Sequence, residues 1–211
     1  MKDHFFTIAN ESTGLYKEKG SKFLAFAYPA DSLESVHAHF DNLRKQYHDA
    51  RHHCYAYILG QEGEHIRAND DGEPNHSAGD PILGQIRSAG LTNTLIVVVR
   101  YFGGTKLGVS RLIHAYKTAA EEALRNSKVV KQFITSTIEI TYPYESTNEV
   151  LKLVDKHSLT INQQDFSEVC FLEAQVVINQ KQNLLSDLHL LKNTGHKLQF
   201  NWLIQIINLH Q

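Results

Sequence analysis

The chain has 211 residues, a formal net charge of -2 and 42% hydrophobic residues, so it can bury a core in one large or two small domains. Cations and carboxylates are nearly balanced in both halves, which excludes a strongly basic domain and leaves nucleic-acid binding to a local patch. The two cysteines lack metal-ligand spacing and no apolar run reaches the length of a membrane span, so we expect a cytoplasmic protein with no disulfide scaffold, structural zinc or membrane partner.

The first half of the chain alternates predicted strands and helices. Two-residue alternation and buried apolar runs predict strands, and apolar residues spaced by three and four predict amphipathic helices. Asp31 or Ser32 is expected to cap the first helix, and Asp80 with Pro81 to start the second. The predicted order is strand 21–29, helix 31–47, strand 52–59, a short partner strand within 61–70, helix 80–89, strand 94–101 and a helix from 108 or 110 to 124.

The pattern restarts after residue 126 with a different order. We predict strand 134–141, helix 144–157, strands 159–166 and 169–178, helix 183–193 and strand 197–207. The order strand, helix, strand, strand, helix, strand is that of the ferredoxin-like fold, with four strands under two helices. The expected domains are therefore residues 1–127 and 133–211.

The sequence RYFGGTKLGVSR follows the most apolar predicted strand and leads directly into a helix. A glycine pair permits a sharp turn, and the first amides of the helix lack intrahelical acceptors, so the segment could form an anion pocket. Its spacing is neither that of a Walker A loop nor that of a dinucleotide fingerprint, and the glycines could equally build only a tight connection. The candidate anion- or ligand-binding residues are Arg100, Gly103, Gly104, Lys106, Gly108, Ser110 and Arg111.

A second loop, DDGEP, concentrates carboxylates. The spacing of an EF-hand is absent and Asp-Gly is first of all a turn signal, so we expect a turn and no metal site. If this loop lies beside GGTKLG, Asp70, Asp71 and Glu73 could pair with Lys106 or Arg100 and brace the site. His52, at the start of a strand, could reach the same loops.

The strand HHCYAYIL has two distinct faces. Cys54 shares a face with small and aliphatic residues, so a buried hydrophobic role is favoured over that of a nucleophile. The opposite face carries His53, Tyr55 and Tyr57, a possible stacking face for bases, although tyrosine is in any case common in strands.

Three separated motifs carry a family resemblance: ARHHCYAY at 50–57, DDGEPNHSAGDPIL at 70–83 and VVVRYFGGTKLGVSRLIHAY at 97–116. They resemble the bacterial YigZ branch of the IMPACT family, which shares its first domain with the eukaryotic translation regulator IMPACT. By motif the resemblance covers about residues 17 to 125. The motif positions that carry over are His52, Asp70, Asp71, Gly72, Glu73, Pro74, Gly79, Pro81, Arg100, Tyr101, Gly103, Gly104, Lys106, Leu107, Gly108, Ala115 and Tyr116.

The resemblance implies an α+β protein. Its first domain would have the two-layer, ribosomal protein S5 domain 2-like fold, with a mixed sheet covered by helices on one side. Its second domain would be ferredoxin-like and similar to a domain of elongation factor G. The resemblance also implies a role in translation control or nucleic-acid binding, and the eukaryotic relative acts by binding a protein partner of a stress kinase. No established catalytic residue and no cofactor come with it.

The chain departs from the family pattern in two places. Asn75, His76 and Ser77 stand where many relatives have a Gly-Thr pair, and Ser110 and Arg111 stand where they have two glycines. The second departure places a long cation at the start of a helix, where Arg111 either strengthens an anion site or blocks it.

The leading functional hypothesis is a translation-associated protein that binds RNA, the ribosome or a translation factor without catalysis. The alternative is an enzyme acting on a phosphorylated or carboxylated small molecule, with Asp70, Asp71 or His52 as base or metal ligand. A third hypothesis is a protein-interaction module in which all of these motifs are structural.

Overall fold

The computed structural model describes residues 2–203, which form two compact units. The first unit comprises residues 5–132, and the second comprises residues 2–4 and 133–203. The end of the last predicted strand, residues 204–207, lies outside the described residues. Within residues 2–203, every helix is too short or too polar to cross a membrane.

The chain up to Phe133 forms strands β1 to β7 and helices α1 to α3. Their bounds are β1 His4–Ile8, β2 Ser12–Glu18, β3 Ser21–Pro29, α1 Leu33–Gln46, β4 His52–Leu59, β5 His65–Asn69, α2 Gly79–Ser88, β6 Thr94–Tyr101, α3 Val109–Arg125 and β7 Val129–Phe133. Strands β1, β2 and β7 were not predicted from the sequence. The predicted helices and the strands β3, β4, β5 and β6 are present.

Five of these strands form one sheet in the order β2-β3-β6-β4-β5, and β1 pairs with β7 in a separate two-stranded sheet. Every neighbouring pair in the five-stranded sheet is antiparallel, so the mixed sheet expected from the resemblance is not observed. Strand β6 lies at the centre and is buried on both faces, which explains its continuous apolar sequence.

Helices cover both faces of this sheet. Val36 and Leu43 of α1 pack against the face that carries Val97. Ile86 of α2 and Tyr116 of α3 belong to the core of the opposite face. The expectation of a two-layer arrangement with helices on one side is therefore wrong, because the apolar stripe of α1 buries the face that would otherwise be exposed.

The second unit follows the order strand, helix, strand, strand, helix, strand. Its elements are β8 Thr135–Pro143, α4 Thr147–Lys156, β9 Thr160–Asp165, β10 Val169–Val177, α5 Lys181–Asn193 and β11 Gln199–Leu203. The strands form an antiparallel sheet in the order β11-β8-β10-β9. Alternate residues of β8 and β10, such as Ile140 and Leu172, pack with Val150 of α4 and Leu184 of α5 in one core. The described chain is thus an α+β protein with separate cores in its two units.

Candidate functional site

Most of the sequence-predicted site residues lie at one end of the five-stranded sheet. Strand β6 ends there, and because β3 and β4 are both antiparallel to it, they begin there. Strands β2 and β5 end at the same place for the same reason. The loops 70–78 and 102–108 and the turn at residues 19–20 therefore leave the sheet on one side. We call these three segments, with the start of α3, the loop end of the first unit.

Arg100 is buried at the loop end and its charge is paired inside the protein. Its Nη1 donates a hydrogen bond to Glu73 Oε1 at 2.5 Å, and the two side chains are 7% and 4% exposed. The guanidinium also lies 5.4 Å and 5.8 Å from the ring centroids of Phe23 and Phe102, which are cation–π distances. Arg100 therefore has no free charge to offer a ligand, and its expected role in anion binding has to be corrected to that of an internal ion pair.

The ion pair continues into a buried polar chain. The Tyr116 hydroxyl donates to Glu73 Oε1 at 2.8 Å, and Cys54 Sγ lies 3.3 Å from that hydroxyl and 3.0 Å from the Asp70 carbonyl oxygen. Burial raises the pKa of the Cys54 thiol and of the Tyr116 hydroxyl. A buried thiol with a raised pKa is a poor nucleophile, so Cys54 acts as a core residue.

Asp70 caps helix α2 from the preceding loop. Its Oδ1 accepts hydrogen bonds from the amides of Ala78 and Gly79 at 2.9 Å and 2.8 Å, and its Oδ2 accepts one from His76 at 2.8 Å. Burial raises the pKa of Asp70, but these backbone donors outweigh it, so the pKa lies below its ordinary value. The sequence placed the N-cap at Asp80 and the first helical residue at Pro81, but the N-cap is Ala78 and the helix begins at Gly79, so the predicted start is two residues late.

Asp71 and His52 hold the same loop against the sheet. Asp71 Oδ2 accepts a hydrogen bond from the His53 amide at 2.6 Å, and the Asp71 carbonyl oxygen lies 2.8 Å from His52 Nδ1. Asp71 and Gly72 have φ values of 39° and 83°, so the DDG segment is a tight turn in the left-handed region. Among residues 2–203, no group of His, Cys, Asp and Glu side chains is arranged to hold a metal ion.

The glycine loop after β6 has one packed part and one exposed part. Gly103 lies against the turn between β2 and β3, where a Cβ would overlap the backbone of Gly20 and Ser21, and its amide donates to Ser21 Oγ at 3.1 Å. Gly104, Lys106 and Gly108 are exposed. Gly103 therefore serves chain packing, while the rest of the loop faces solvent.

The start of α3 is open. Gly108 has a φ of 77°, occupies the N-cap position and leaves the helix without a side-chain cap. Its carbonyl oxygen accepts from Leu112, but the amides of Val109, Ser110 and Arg111 find no acceptor within residues 2–203. Ser110 and Arg111 are exposed. Unpaired amides at a helix start favour a nearby negative charge.

Exposed cations lie at this helix start, in the loop before it and on the hairpin that this loop contacts. Lys106 and Arg111 are exposed, and no carboxylate in the described part of the chain lies within ion-pair distance of either. The hairpin of β2 and β3 adds Lys17, Lys19 and Lys22, which are likewise exposed and without an ion pair among the described residues. Lys17 and Lys22 stand directly opposite each other in the antiparallel register. Like charges in that arrangement destabilise a sheet, so folding alone does not explain them.

The possible stacking face on β4 is not available to bases. His53 and Tyr57 are 4% and 7% exposed, because α1 covers this face. Tyr55 is half-buried and packs edge-to-face on Phe40 of α1, with the ring centroids 4.9 Å apart. The expectation that these three side chains stack on RNA is therefore wrong.

A different aromatic side chain is exposed at the loop end. Phe102 follows β6 directly and is 51% exposed, with one face toward the Arg100 guanidinium. Neither Phe102 nor the lysines of the β2–β3 hairpin were predicted from the sequence as site residues. The segment KEKGSK could have indicated these lysines, because it places a Lys-Gly turn between two strands. The turn was not recognised because β2 was not predicted.

The family model and the curated relatives that match this chain agree on one family. The Impact N-terminal domain matches residues 19–124. The chain is 29% identical over 177 residues to "IMPACT family member YvyE" of Bacillus subtilis, covering 83% of this chain and 81% of that protein. It is 38% identical over 109 residues to "IMPACT family member YigZ" of Escherichia coli, covering 51% and 53% of the two chains. The crystal structure of a hypothetical protein superposes with a TM-score of 0.69 at 24% identity, covering 97% of this chain and 100% of the other, and it shows the shared fold.

Proposed function

Because the chain belongs to the IMPACT family, as its motifs indicated, we propose that it is a translation-associated protein that binds RNA or the ribosome without catalysis. The binding surface of the proposal is the loop end of the first unit. Its location would be the cytoplasm, where ribosomes are.

Each unit also resembles a known domain fold. Within the expected domains 1–127 and 133–211, we assign the described residues 5–127 to an S5 domain 2-like domain, modified by α1 on the second face, and residues 133–203 to a ferredoxin-like domain. The alternating order and the sheet order β11-β8-β10-β9 support the second assignment. Kinship with ribosomal and elongation-factor domains is an analogy of fold, so the functional proposal depends on the site.

The proposal depends on a set of exposed cations at the loop end that form no ion pair within residues 2–203, together with a helix start that has no side-chain cap. The set consists of Lys17, Lys19, Lys22, Lys106 and Arg111. Such cations give affinity for a phosphate backbone by releasing counterions. Phe102 adds an exposed aromatic ring, and stacking of a base on such a ring does not require a particular sequence.

The enzyme alternative lacks support at the same place. Its candidate base or metal ligands were Asp70, Asp71 and His52. Asp70 accepts three backbone hydrogen bonds, Asp71 accepts one from β4, and His52 lies at hydrogen-bond distance from the loop. These groups thus hold the loop in place, whereas the five cations form no ion pair in the part of the chain that the structure describes.

The test is binding to a single-stranded RNA oligonucleotide and co-sedimentation with ribosomes across a salt series. The variant is Lys106→Ala with Arg111→Ala. We expect weaker binding at low salt and a slope of log K against log salt that is shallower by about 1.4, since each phosphate contact on a single strand contributes about 0.7.

The matched control is Arg87→Ala with Lys128→Ala, which removes two exposed cations elsewhere in the first unit. It should bind RNA like the unmodified protein. The proposal fails if neither RNA nor ribosomes are retained at low salt, or if both double variants behave alike. Stronger binding by the single variant Arg111→Ala would show that Arg111 blocks the site. Salt-insensitive capture of a purified translation factor without RNA would favour the protein partner instead.

A further inference from the structure

The second unit has an open cleft of about 710 Å³ at one end of its sheet. Strands β8, β10 and β11 meet there, with Val169 of β10 directly opposite Pro143 of β8. The C-terminal end of α5 and the segment leading into β11 complete the walls. This volume lies within the range of roughly 300–1,000 Å³ that small-molecule sites occupy.

The floor of the cleft is apolar. Val169 is 61% exposed although it belongs to a central strand, and Pro143 and the buried Leu198 lie beside it. An exposed aliphatic side chain inside a concave surface differs from one scattered on a convex surface, because a ligand can bury it on several sides. The cleft therefore offers a favourable environment for a hydrocarbon group.

The rim of the cleft is cationic. Lys192 and Lys197 are the only charged residues among those that line it, and both side chains are exposed. Neither has a carboxylate within ion-pair distance in the part of the chain that the structure describes. Lys192 Nζ lies 5.6 Å from the centroid of the Phe200 ring, which places it beside the edge strand β11. An anionic group would thus find two cations that folding leaves unneutralised.

The hydroxyl of Tyr142 is not part of the cleft surface. Tyr142 is among the residues that line the cleft, but it is 1% exposed and its side chain belongs to the core of the second unit. Its hydroxyl is buried beside Gln164, which does not line the cleft. The polar groups that a ligand would meet are therefore those of the rim.

We propose that this cleft binds a small organic anion with an apolar body, of the aromatic carboxylate class. The carboxylate would lie between Lys192 and Lys197, and the ring would lie on Val169, Pro143 and Leu198. The site is independent of the RNA-binding surface proposed for the first unit.

The test compares three probes of the same shape and different charge: benzoate, benzamide and benzamidine. Each is titrated into the full-length, isotopically labelled protein, and backbone amide chemical shifts are followed by NMR. We expect benzoate to bind most tightly, benzamide weakly and benzamidine least, with shifts centred on residues 141–143, 169 and 197–199. Inorganic phosphate, which has no apolar body, should bind more weakly than benzoate.

Two variants separate the contributions. Lys192→Ala with Lys197→Ala should weaken benzoate binding about tenfold, equivalent to about 1.4 kcal/mol, and leave benzamide unchanged. Lys152→Ala with Lys128→Ala removes two lysines outside the cleft and should change neither.

Three results would overturn the proposal. Equal affinity for benzoate and benzamide would show that the two lysines do not contribute to binding. Phosphate binding as tightly as benzoate would reduce the cleft to a general anion site. Chemical-shift changes centred outside the cleft would place the ligand elsewhere.

Discussion

Arg100 and Glu73 carry opposite charges at a place where both side chains are almost fully buried. Removing one partner of such a pair leaves the other charge buried without compensation. We therefore expect Glu73→Ala to lower the free energy of unfolding by about 3–5 kcal/mol. Urea denaturation followed by circular dichroism measures this change.

A double substitution separates the charge effect from the packing effect. Glu73→Leu with Arg100→Met removes both charges and keeps apolar volume, so we expect it to be more stable than Glu73→Ala alone. Glu122→Ala, which breaks the surface ion pair with Arg125, should leave the unfolding curve nearly unchanged. If the double variant is no more stable than Glu73→Ala, the loss of stability in Glu73→Ala comes from lost packing and not from the unpaired charge of Arg100.

Helix α2 depends on a carboxylate that lies outside it. Asp70 accepts two backbone hydrogen bonds at the start of this helix and a third from His76 in the preceding loop, and an Asn side chain has only one oxygen with which to replace them. We expect Asp70→Asn to lower the free energy of unfolding by about 1 kcal/mol at neutral pH, as for the loss of other helix caps. Denaturation curves over a pH series measure it.

The stabilisation that Asp70 provides should decrease in acid. The pKa of Asp70 is lowered in the folded protein, so its contribution is fully present above the unfolded value of about 3.9 and is lost as the pH falls through the folded pKa. The difference between the unmodified protein and Asp70→Asn should therefore disappear in acid. Asp31→Asn is the control, because Ser32 and not Asp31 caps α1. A difference that persists unchanged in acid would contradict the capping role.

Helices and strands whose apolar residues recur at a regular spacing could be predicted from the sequence, but β2 could not. Its sequence STGLYKE contains Gly14, and a glycine inside a short segment usually indicates a turn. In the structure Gly14 is buried where α3 packs on β2, and a Cβ there would overlap backbone atoms of Ala119 and Ala123. The glycine serves close packing with a helix more than a hundred residues later in the chain, which no local pattern reveals.

Each unit of the described chain has its own core and one buried cysteine. Cys54 belongs to the core of the first unit and Cys170 to that of the second. We expect Leu188→Ala, which creates a cavity in the second core at a cost of about 2–5 kcal/mol, to accelerate labelling of Cys170 by a thiol reagent without affecting Cys54. Mass spectrometry of the labelled peptides measures both rates in one sample.

The reciprocal variant is Ile86→Ala, in the core of the first unit. It should accelerate labelling of Cys54 and leave Cys170 protected. If either variant accelerates both cysteines equally, the two units unfold as one cooperative body.

Across the first unit, the positions of the sequence motifs could be predicted better than the roles of their individual residues. The antiparallel sheet brings DDGEP and GGTKLG to the loop end, but the partner of Arg100 is 27 residues away in the chain. Whether a cation is paired inside or free outside depends on tertiary contacts. Arg100 and Lys106 are both cations of the same motif, but in the structure Arg100 is buried in an ion pair and Lys106 is exposed.

The contact between Gly103 and Gly20 involves main-chain atoms alone. It joins the loop that bears Lys106 to the turn that bears Lys19, so the separation of these two main-chain segments is set by the backbone. A polyanion would order the lysine side chains on association but would not have to order the segments that carry them. A side chain at either glycine would alter that spacing and so the geometry of recognition, even where the cations themselves are retained.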